Sequence, residues 1–387
     1  MPTTGLIRIA LAYALVAGMA GSPHAAQLPQ LAIDRAQVTV SGLSSGGYMA
    51  TQLHVAWSSV FGRGVGVVAA GPYYCAQGLA LYATTRCLKR DTTPPVEQLV
   101  VTARGWAAAG WLDPLENLRQ SKVYLFSGQR DSVVVPALGA DLKRWYDSFV
   151  APANIAHRID VAAEHGMATD DFGSACDHRG LPFINDCDFD LAGEMFKHFY
   201  GAPAPRNDGP LQGAFVEFGQ HEFIAAGLGM GPKGWLFVPR DCAAGATCRL
   251  HVALHGCGQN VDDIGDTYVR RAGYNRWADS NRIVVLYPQT GAQALNSCWD
   301  WWGYTGADYA RKSAPQVGAI VAMVERLAGV APRCHGALNG MHIWAGRATW
   351  DAFGAAVAKG SGQHLGWWWR STSLRESPKG HFVEGSC

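Results

Sequence analysis

Val38-Thr39-Val40-Ser41-Gly42-Leu43-Ser44-Ser45-Gly46-Gly47-Tyr48-Met49-Ala50 leads from a short apolar run through a G-x-S-x-G pattern into helical spacing. Val38, Val40 and Leu43 mark the run, and Met49, Leu53, Ala56 or Trp57, and Val60 then recur as one face of a helix. The stretch predicts strand, tight turn, helix, with a serine exposed on the turn at the positive end of the helix. Gly42 and Gly46 leave room for the backbone to pass closely. Glycine- and serine-rich patterns also occur in ordinary loops, so it is the flanking strand and helix that favour a nucleophile. The x-S-x spacing favours Ser44 over Ser45.

A serine hydroxyl is too weak an acid to attack an ester at neutral pH without a general base, usually histidine, oriented by a carboxylate. Apolar runs at residues 64–70, 122–127, 158–163, 234–239, 250–254 and 283–287 read as strands. They alternate with helical patterns, giving an α/β sheet covered by helices. Helices are predicted at about 263–279 and from near Pro315, where Ser313 and Gln316 form a capping-box pattern before the buried face of Val317, Ile320, Val321, Val324 and Leu327. Asp131 follows the 122–127 strand and His165 the 158–163 strand, each where a side chain clears the sheet edge. The order Ser44, Asp131, His165 is the α/β-hydrolase order. A lone aspartate after a strand is more often a turn residue, and Asp170 and Asp171 compete for the orienting role.

Acyl transfer also needs two backbone N–H groups aimed at the developing oxyanion. Ser45 supplies one. The second usually comes from a His-Gly loop upstream of the serine, yet here that pattern, Leu250-His251-Val252-Ala253-Leu254-His255-Gly256-Cys257, lies about 200 residues downstream. Circular permutation explains this, with Cys257 N–H as the second donor. His255 reads better as a loop-stabilising hydrogen-bonder than as a reacting group. A Cys257–Cys298 link would bring Trp299, Asp300 and Trp301 beside the pocket.

The chain has 387 residues, 48% of them hydrophobic, a formal charge of +1 and 16% charged residues. This supports a large core and a neutral substrate, and gives no electrostatic case for nucleic acid or an anionic membrane. Residues 1–26, with Arg8, an apolar run and then small residues, read as a cleaved signal peptide. Pro23 or His24 would occupy a position where a small residue is preferred. The expected mature protein is soluble, monomeric and exported to the periplasm or the medium. Export favours disulfides for the ten cysteines. Their order suggests the neighbour pairs Cys75–Cys87, Cys176–Cys187, Cys242–Cys248, Cys257–Cys298 and Cys334–Cys387, a connectivity that spacing does not prove. No C-x-x-C pair occurs, which weakens a zinc reading.

Residues 27–331 are read as the α/β-hydrolase domain and 332–387 as a small tryptophan- and glycine-rich module. Residues 201–213, rich in proline and glycine, form another connection. In the module, Trp344, Trp350 and Trp367-Trp368-Trp369 could adsorb an apolar polymer or build the core of a stapled unit.

The segments 40–50, Gly71-Pro72-Tyr73, 250–257, Gly273-Tyr274-Asn275 and Cys298-Trp299-Asp300-Trp301 together resemble extracellular poly(3-hydroxybutyrate) depolymerases of the circularly permuted single-domain type. The resemblance runs from about Val38 to Gly329 and includes four of the cysteine pairs. It implies a serine esterase with Ser44, Asp131 and His165 as triad, Ser45 and Cys257 as oxyanion donors, Trp301 touching the polyester, and no cofactor or metal. The segment between Gln289 and Cys298 is shorter than the family pattern, which leaves feruloyl, acetyl or aromatic-polyester groups as an alternative substrate class. From another class altogether, the chain could be a polymer-binding surface protein with a vestigial triad.

Overall fold

The computed structural model describes residues 26–386. The expected signal peptide, apart from Ala26, lies outside the described residues, and so does Cys387 with its expected pairing to Cys334.

Short runs of β-branched and aliphatic residues form the centre of the molecule. Its eight strands are β1 (Ile33–Leu43), β2 (Gly64–Val68), β3 (Lys122–Phe126), β4 (Ile155–Arg158), β5 (Ala214–Gly219), β6 (Lys233–Val238), β7 (Cys248–Leu254) and β8 (Ile283–Tyr287). They lie in the order β4-β3-β2-β1-β7-β8-β6-β5. The first six are parallel, β6 runs antiparallel to them, and the edge strand β5 pairs antiparallel with β6. β1 is central, with Val40 opposite Val65 on one side and Val252 on the other. All five residues of β2 and all five of β8 are buried, because helices cover both faces. Each fully buried valine, leucine or isoleucine contributes about 1.5–3 kcal/mol relative to exposure.

Helix α1 (Ser45–Ala56) and the helix Pro315–Leu327 pack on one face, and Leu191–Tyr200 and Tyr274–Asn281 on the other. All twelve residues of α1 are buried, so it crosses the core instead of presenting one apolar face. The helical pattern then breaks at Trp57, and Val60 belongs to a separate short helix, Ser58–Phe61.

Three expectations are corrected. The helix at 263–279 is three short helices, Val261–Ile264, Thr267–Arg271 and Tyr274–Asn281, separated where Gly265 and Gly273 adopt φ of 60° and 88°. The strand at 158–163 ends at Arg158. The residues after it receive hydrogen bonds from a turn, Gln129 N–H to Val161 O and Arg130 N–H to Ala163 O, so no ladder forms. The capping box is absent, because Gln316 points into the core and its Oε1 accepts from Asp300 N–H at 2.9 Å. Residues 201–213, expected as a connection, hold no helix or strand, and Asp279 accepts from the Gln212 and Gly213 N–H groups.

Disulfides join Cys75–Cys87, Cys176–Cys187, Cys242–Cys248 and Cys257–Cys298. The last closes a separation of 41 residues, a constraint on the unfolded chain worth about 4 kcal/mol in the chain-entropy picture. No helix among the described residues is long and apolar enough to cross a membrane.

Beyond residue 332 the chain builds two small antiparallel sheets, one of Arg333–Leu338, Ser371–Glu376 and Phe382–Glu384, the other of Ala348–Trp350, Ala355–Ala358 and His364–Trp367. Their core is Ala348, Ala356, Ala358, Leu365, Leu374 and Phe382. The tryptophans do not form that core. Trp344 is 84% exposed, and Trp350, Trp367, Trp368 and Trp369 are each more than half exposed. The strand stops at Trp367, so the next two residues do not alternate across a sheet, and the Trp367 and Trp369 rings lie parallel at 5.4 Å.

Candidate active site

β1 delivers Ser44 at its carboxyl end with φ 56° and ψ −119°, a conformation that residues other than glycine seldom hold. Ser44 N–H donates to Val68 O at 2.8 Å, and Ser44 O accepts from Tyr48 N–H at 3.0 Å. A Cβ on Gly42 would lie 2.2 Å from Gly46 O, and one on Gly46 would lie 2.4 Å from His255 O. Both glycines are therefore required by close backbone approach, the second because α1 starts against the end of β7.

The turn after β3 carries Asp131, buried, with Oδ1 accepting from Val133 N–H at 2.9 Å and Val134 N–H at 2.8 Å. Its Oδ2 accepts from His165 Nδ1 at 2.9 Å. His165 lies on a loop beyond β4, and the Phe183 ring meets it edge to face. Glu164 ties the two segments together, its Oε1 accepting from both Ser132 N–H and Ser132 Oγ at 2.8 Å. Burial opposes the charge on Glu164, but these hydrogen bonds bring its carboxyl below the usual carboxylate range. The rival aspartates are engaged elsewhere, Asp170 with Arg206 at 2.6 Å and Asp171 with Arg276 at 2.6 Å.

Ser44 and His165 open into one cavity of about 300 Å³. Leu43, Ala80, Ala83, Leu88, Val133, Phe183 and Leu295 make much of its wall, which Gly256, Cys257, Trp301 and Trp302 also line. No Asp, Glu, Lys or Arg lines it, so a neutral ligand loses little by entering and a charged one would be stranded.

Two N–H groups border the serine. Ser45 opens α1, where first-turn N–H groups have no acceptor within the helix. Cys257 follows β7, and a Cβ on Gly256 would lie 3.4 Å from Ser44 Cβ. Among the described residues Cys257 N–H finds no acceptor, while Gly256 N–H donates to Gln259 Oε1 at 2.6 Å and Gly258 N–H to Asn296 O at 3.1 Å.

Trp301 lines the cavity but is only 5% exposed, its ring stacked on Tyr48 at 4.2 Å. Trp299 is buried behind it and donates from Nε1 to His255 O at 3.1 Å. Asp300 holds the turn by accepting from the N–H groups of Gly303, Tyr304 and Thr305. His255 is a loop-fixing residue as expected, its Nδ1 donating to Gly256 O at 2.7 Å and its Nε2 accepting from Thr290 N–H at 3.2 Å. Burial pushes its pKa down to about 4 and that of His251 to about 3, so both stay neutral at pH 7. Sequence reasoning missed Ala80, Ala83, Phe183, Leu295 and Trp302 as cavity walls. Only Trp302, beside the Cys-Trp-Asp-Trp segment, offered a signal.

Known proteins resemble this chain in sequence and in fold. The family model for esterase PHB depolymerases matches residues 235–368. A poly(3-hydroxybutyrate) depolymerase of Delftia acidovorans is 55% identical over 311 residues, covering 79% of this chain. The chain spans 63% of that relative's length. A polyhydroxybutyrate depolymerase of Talaromyces funiculosus is 37% identical over 330 residues, with 81% of this chain and 96% of the relative covered. Among solved structures, the PHB depolymerase of Penicillium funiculosum matches with a TM-score of 0.73 at 36% identity, over 79% of this chain and 99% of that one. A serine-to-alanine PHB depolymerase complexed with an R3HB trimer matches with the same TM-score at 35% identity. This chain belongs to the poly(3-hydroxybutyrate) depolymerase family of esterases.

Proposed function

We propose that the protein is an exported serine esterase that hydrolyses poly(3-hydroxybutyrate) or its oligomers through an acyl-enzyme. The observation that carries this reading is the 2.9 Å contact between His165 Nδ1 and Asp131 Oδ2 at the wall of a charge-free cavity that also holds the strained Ser44 turn. Ser44 Oγ attacks the ester carbonyl while His165 Nε2 takes its proton. His165 returns that proton to the leaving alcohol, then activates water for deacylation. Asp131 holds the imidazole with its proton on Nδ1 and stabilises the imidazolium as it forms. Ser45 and Cys257 N–H groups receive the oxyanion. The names of the relatives and the bound R3HB trimer of a similar structure support this substrate class. The four disulfides fit export.

On this reading the sheet is a circularly permuted α/β-hydrolase. In the usual arrangement the His-Gly loop strand precedes the nucleophile strand. Here β7 follows β1 by about 200 residues yet lies parallel beside it, a placement that supports permutation.

Amorphous poly(3-hydroxybutyrate) granules incubated with purified mature protein are expected to release 3-hydroxybutyrate. Turnover of p-nitrophenyl butyrate without release from granules would keep the chemistry and replace the polymer with another ester.

Residues 332–387 act in this scheme as an adsorption surface for the solid substrate, through the exposed tryptophans. The variant Trp367→Ala/Trp368→Ala/Trp369→Ala is expected to bind polyester films at least about tenfold more weakly, since exposed aromatic contacts contribute roughly 1 kcal/mol each. Its turnover of p-nitrophenyl butyrate should be unchanged. Undiminished adsorption in an isotherm on films would exclude this role.

A further inference from the structure

The loop between β7 and Val261 carries a buried glutamine that the proposed chemistry has not used. Gln259 is 1% exposed and makes three hydrogen bonds. Its Oε1 accepts from Gly256 N–H at 2.6 Å, and its Nε2 donates to Pro182 O at 2.7 Å and to Phe183 O at 3.1 Å. One side chain thus spans the two walls of the cavity, the loop holding Cys257 and the segment whose Phe183 ring packs on His165.

The consequence follows from peptide geometry. A trans peptide points its carbonyl and its N–H in opposite directions. The Gly256 carbonyl accepts from His255 Nδ1 on the buried side, so the N–H across that peptide, on Cys257, points away from His255. His255 fixes this peptide, and Gln259 fixes the one before it by capturing Gly256 N–H. Movement of the loop at Gly256, which has no Cβ to resist it, would break one or both of these hydrogen bonds. It would also swing Cys257 N–H away from the space beside Ser44.

We propose that Gln259 is a positioning residue that holds Cys257 N–H on the oxyanion position and couples that peptide to the segment supporting His165. This rests on the esterase reading above. The charge of the oxyanion exists only in tetrahedral states, so loss of the brace reduces stabilisation of those states more than it reduces substrate binding.

The test uses the full mature protein, p-nitrophenyl butyrate as substrate, and butylboronic acid, which forms a tetrahedral anion on a nucleophilic serine. Two variants of near-equal volume separate the effects. Gln259→Leu removes all three hydrogen bonds. It is expected to lower kcat and weaken boronate binding together by on the order of 10–100-fold, with KM within about threefold of wild type. Gln259→Glu keeps an acceptor for Gly256 N–H, and only its protonated form also keeps a donor for the Pro182 and Phe183 carbonyls. Its kcat relative to wild type is therefore expected to rise as pH falls, a new ionisation that a purely structural defect would not introduce.

Boronate affinity within about threefold of wild type in a folded Gln259→Leu, or a flat pH ratio for Gln259→Glu, would overturn the assignment. If Gln259→Leu does not fold, the pH ratio of Gln259→Glu decides alone. A wild-type protein that neither turns over the ester nor binds the boronate would instead remove the esterase reading itself, so the two failures are distinct.

Discussion

Replacing Ser44 with alanine is expected to lower kcat on p-nitrophenyl butyrate by about 10⁴–10⁶-fold, leaving only the residual catalysis that binding and an intact oxyanion site provide. The loss should be chemical and not structural. Ser44 occupies the helix N-cap position without making a side-chain capping hydrogen bond, so alanine forfeits no cap. The turn itself is held by main-chain hydrogen bonds to Val68 and from Tyr48, and by Gly42 and Gly46, none of which the substitution touches. A thermal midpoint within a degree or two of wild type, together with complete loss of labelling by a fluorophosphonate, is the expected pair of results. Adsorption to polyester films should survive, because the exposed tryptophans belong to the C-terminal segment beyond residue 332. Full ester turnover by Ser44→Ala would exclude this serine as the nucleophile.

Asp131→Asn is expected to cost about 10⁴-fold in kcat with little change in KM, for a reason specific to the carboxylate's three contacts. Its Oδ1 serves Val133 and Val134 N–H groups while Oδ2 serves His165 Nδ1–H. An asparagine has a single acceptor oxygen. If that oxygen stays on the two backbone donors, its NH₂ group faces His165 Nδ1. The imidazole must then carry its proton on Nε2, where it can no longer accept one from Ser44. If the amide flips, the NH₂ group opposes two N–H donors and the turn loses both hydrogen bonds. Either orientation destroys the arrangement the reaction needs. The first, favoured because Glu164 also anchors Ser132 from the other side, leaves a folded protein with the wrong tautomer. Nitrogen-15 NMR of the imidazole, with the proton found on Nε2 in the variant and on Nδ1 in wild type, would separate this cause from a general loosening of the loop. Near-normal turnover in Asp131→Asn would mean that the aspartate does not orient the base.

Much of this arrangement could be read from the chain because its parts are written locally. The turn at Ser44 needs glycine on both sides for close approach, and a parallel strand buried on two faces must be a short aliphatic run. Those two facts locate β2, β3, β7 and β8 to within two residues and the carboxyl end of β1, which begins earlier, at Ile33. Three disulfides close short separations of 12, 11 and 6 residues, so their neighbour order was already suggestive. The broken helix after Asn260 was also legible in principle, since Gly265 and Gly273 stand where it breaks. By contrast, the apolar run at 158–163 has the composition of a strand but no strand beside it to complete a ladder. Gln316 has the spacing of a cap, but its partners, Asp300, Leu228 and Tyr304, come from distant parts of the chain.

The sequence by itself determined an α/β sheet with a serine on a strand-to-helix turn, because close glycines and buried aliphatic runs are demands on successive residues. It narrowed the acid and base to Asp131 and His165 through their positions after apolar runs. Only the tertiary structure decided that these two side chains meet, that Asp170 and Asp171 belong to other ion pairs, and that the cavity carries no charge. It alone decided that Gln259 braces two walls at once, and that the C-terminal tryptophans face solvent around a core of alanine, leucine and phenylalanine. The physical reason is the same in each case. A contact between residues far apart in the chain, and the burial or exposure of a large aromatic ring, depend on which surfaces fold against each other, and no local run of residues records that.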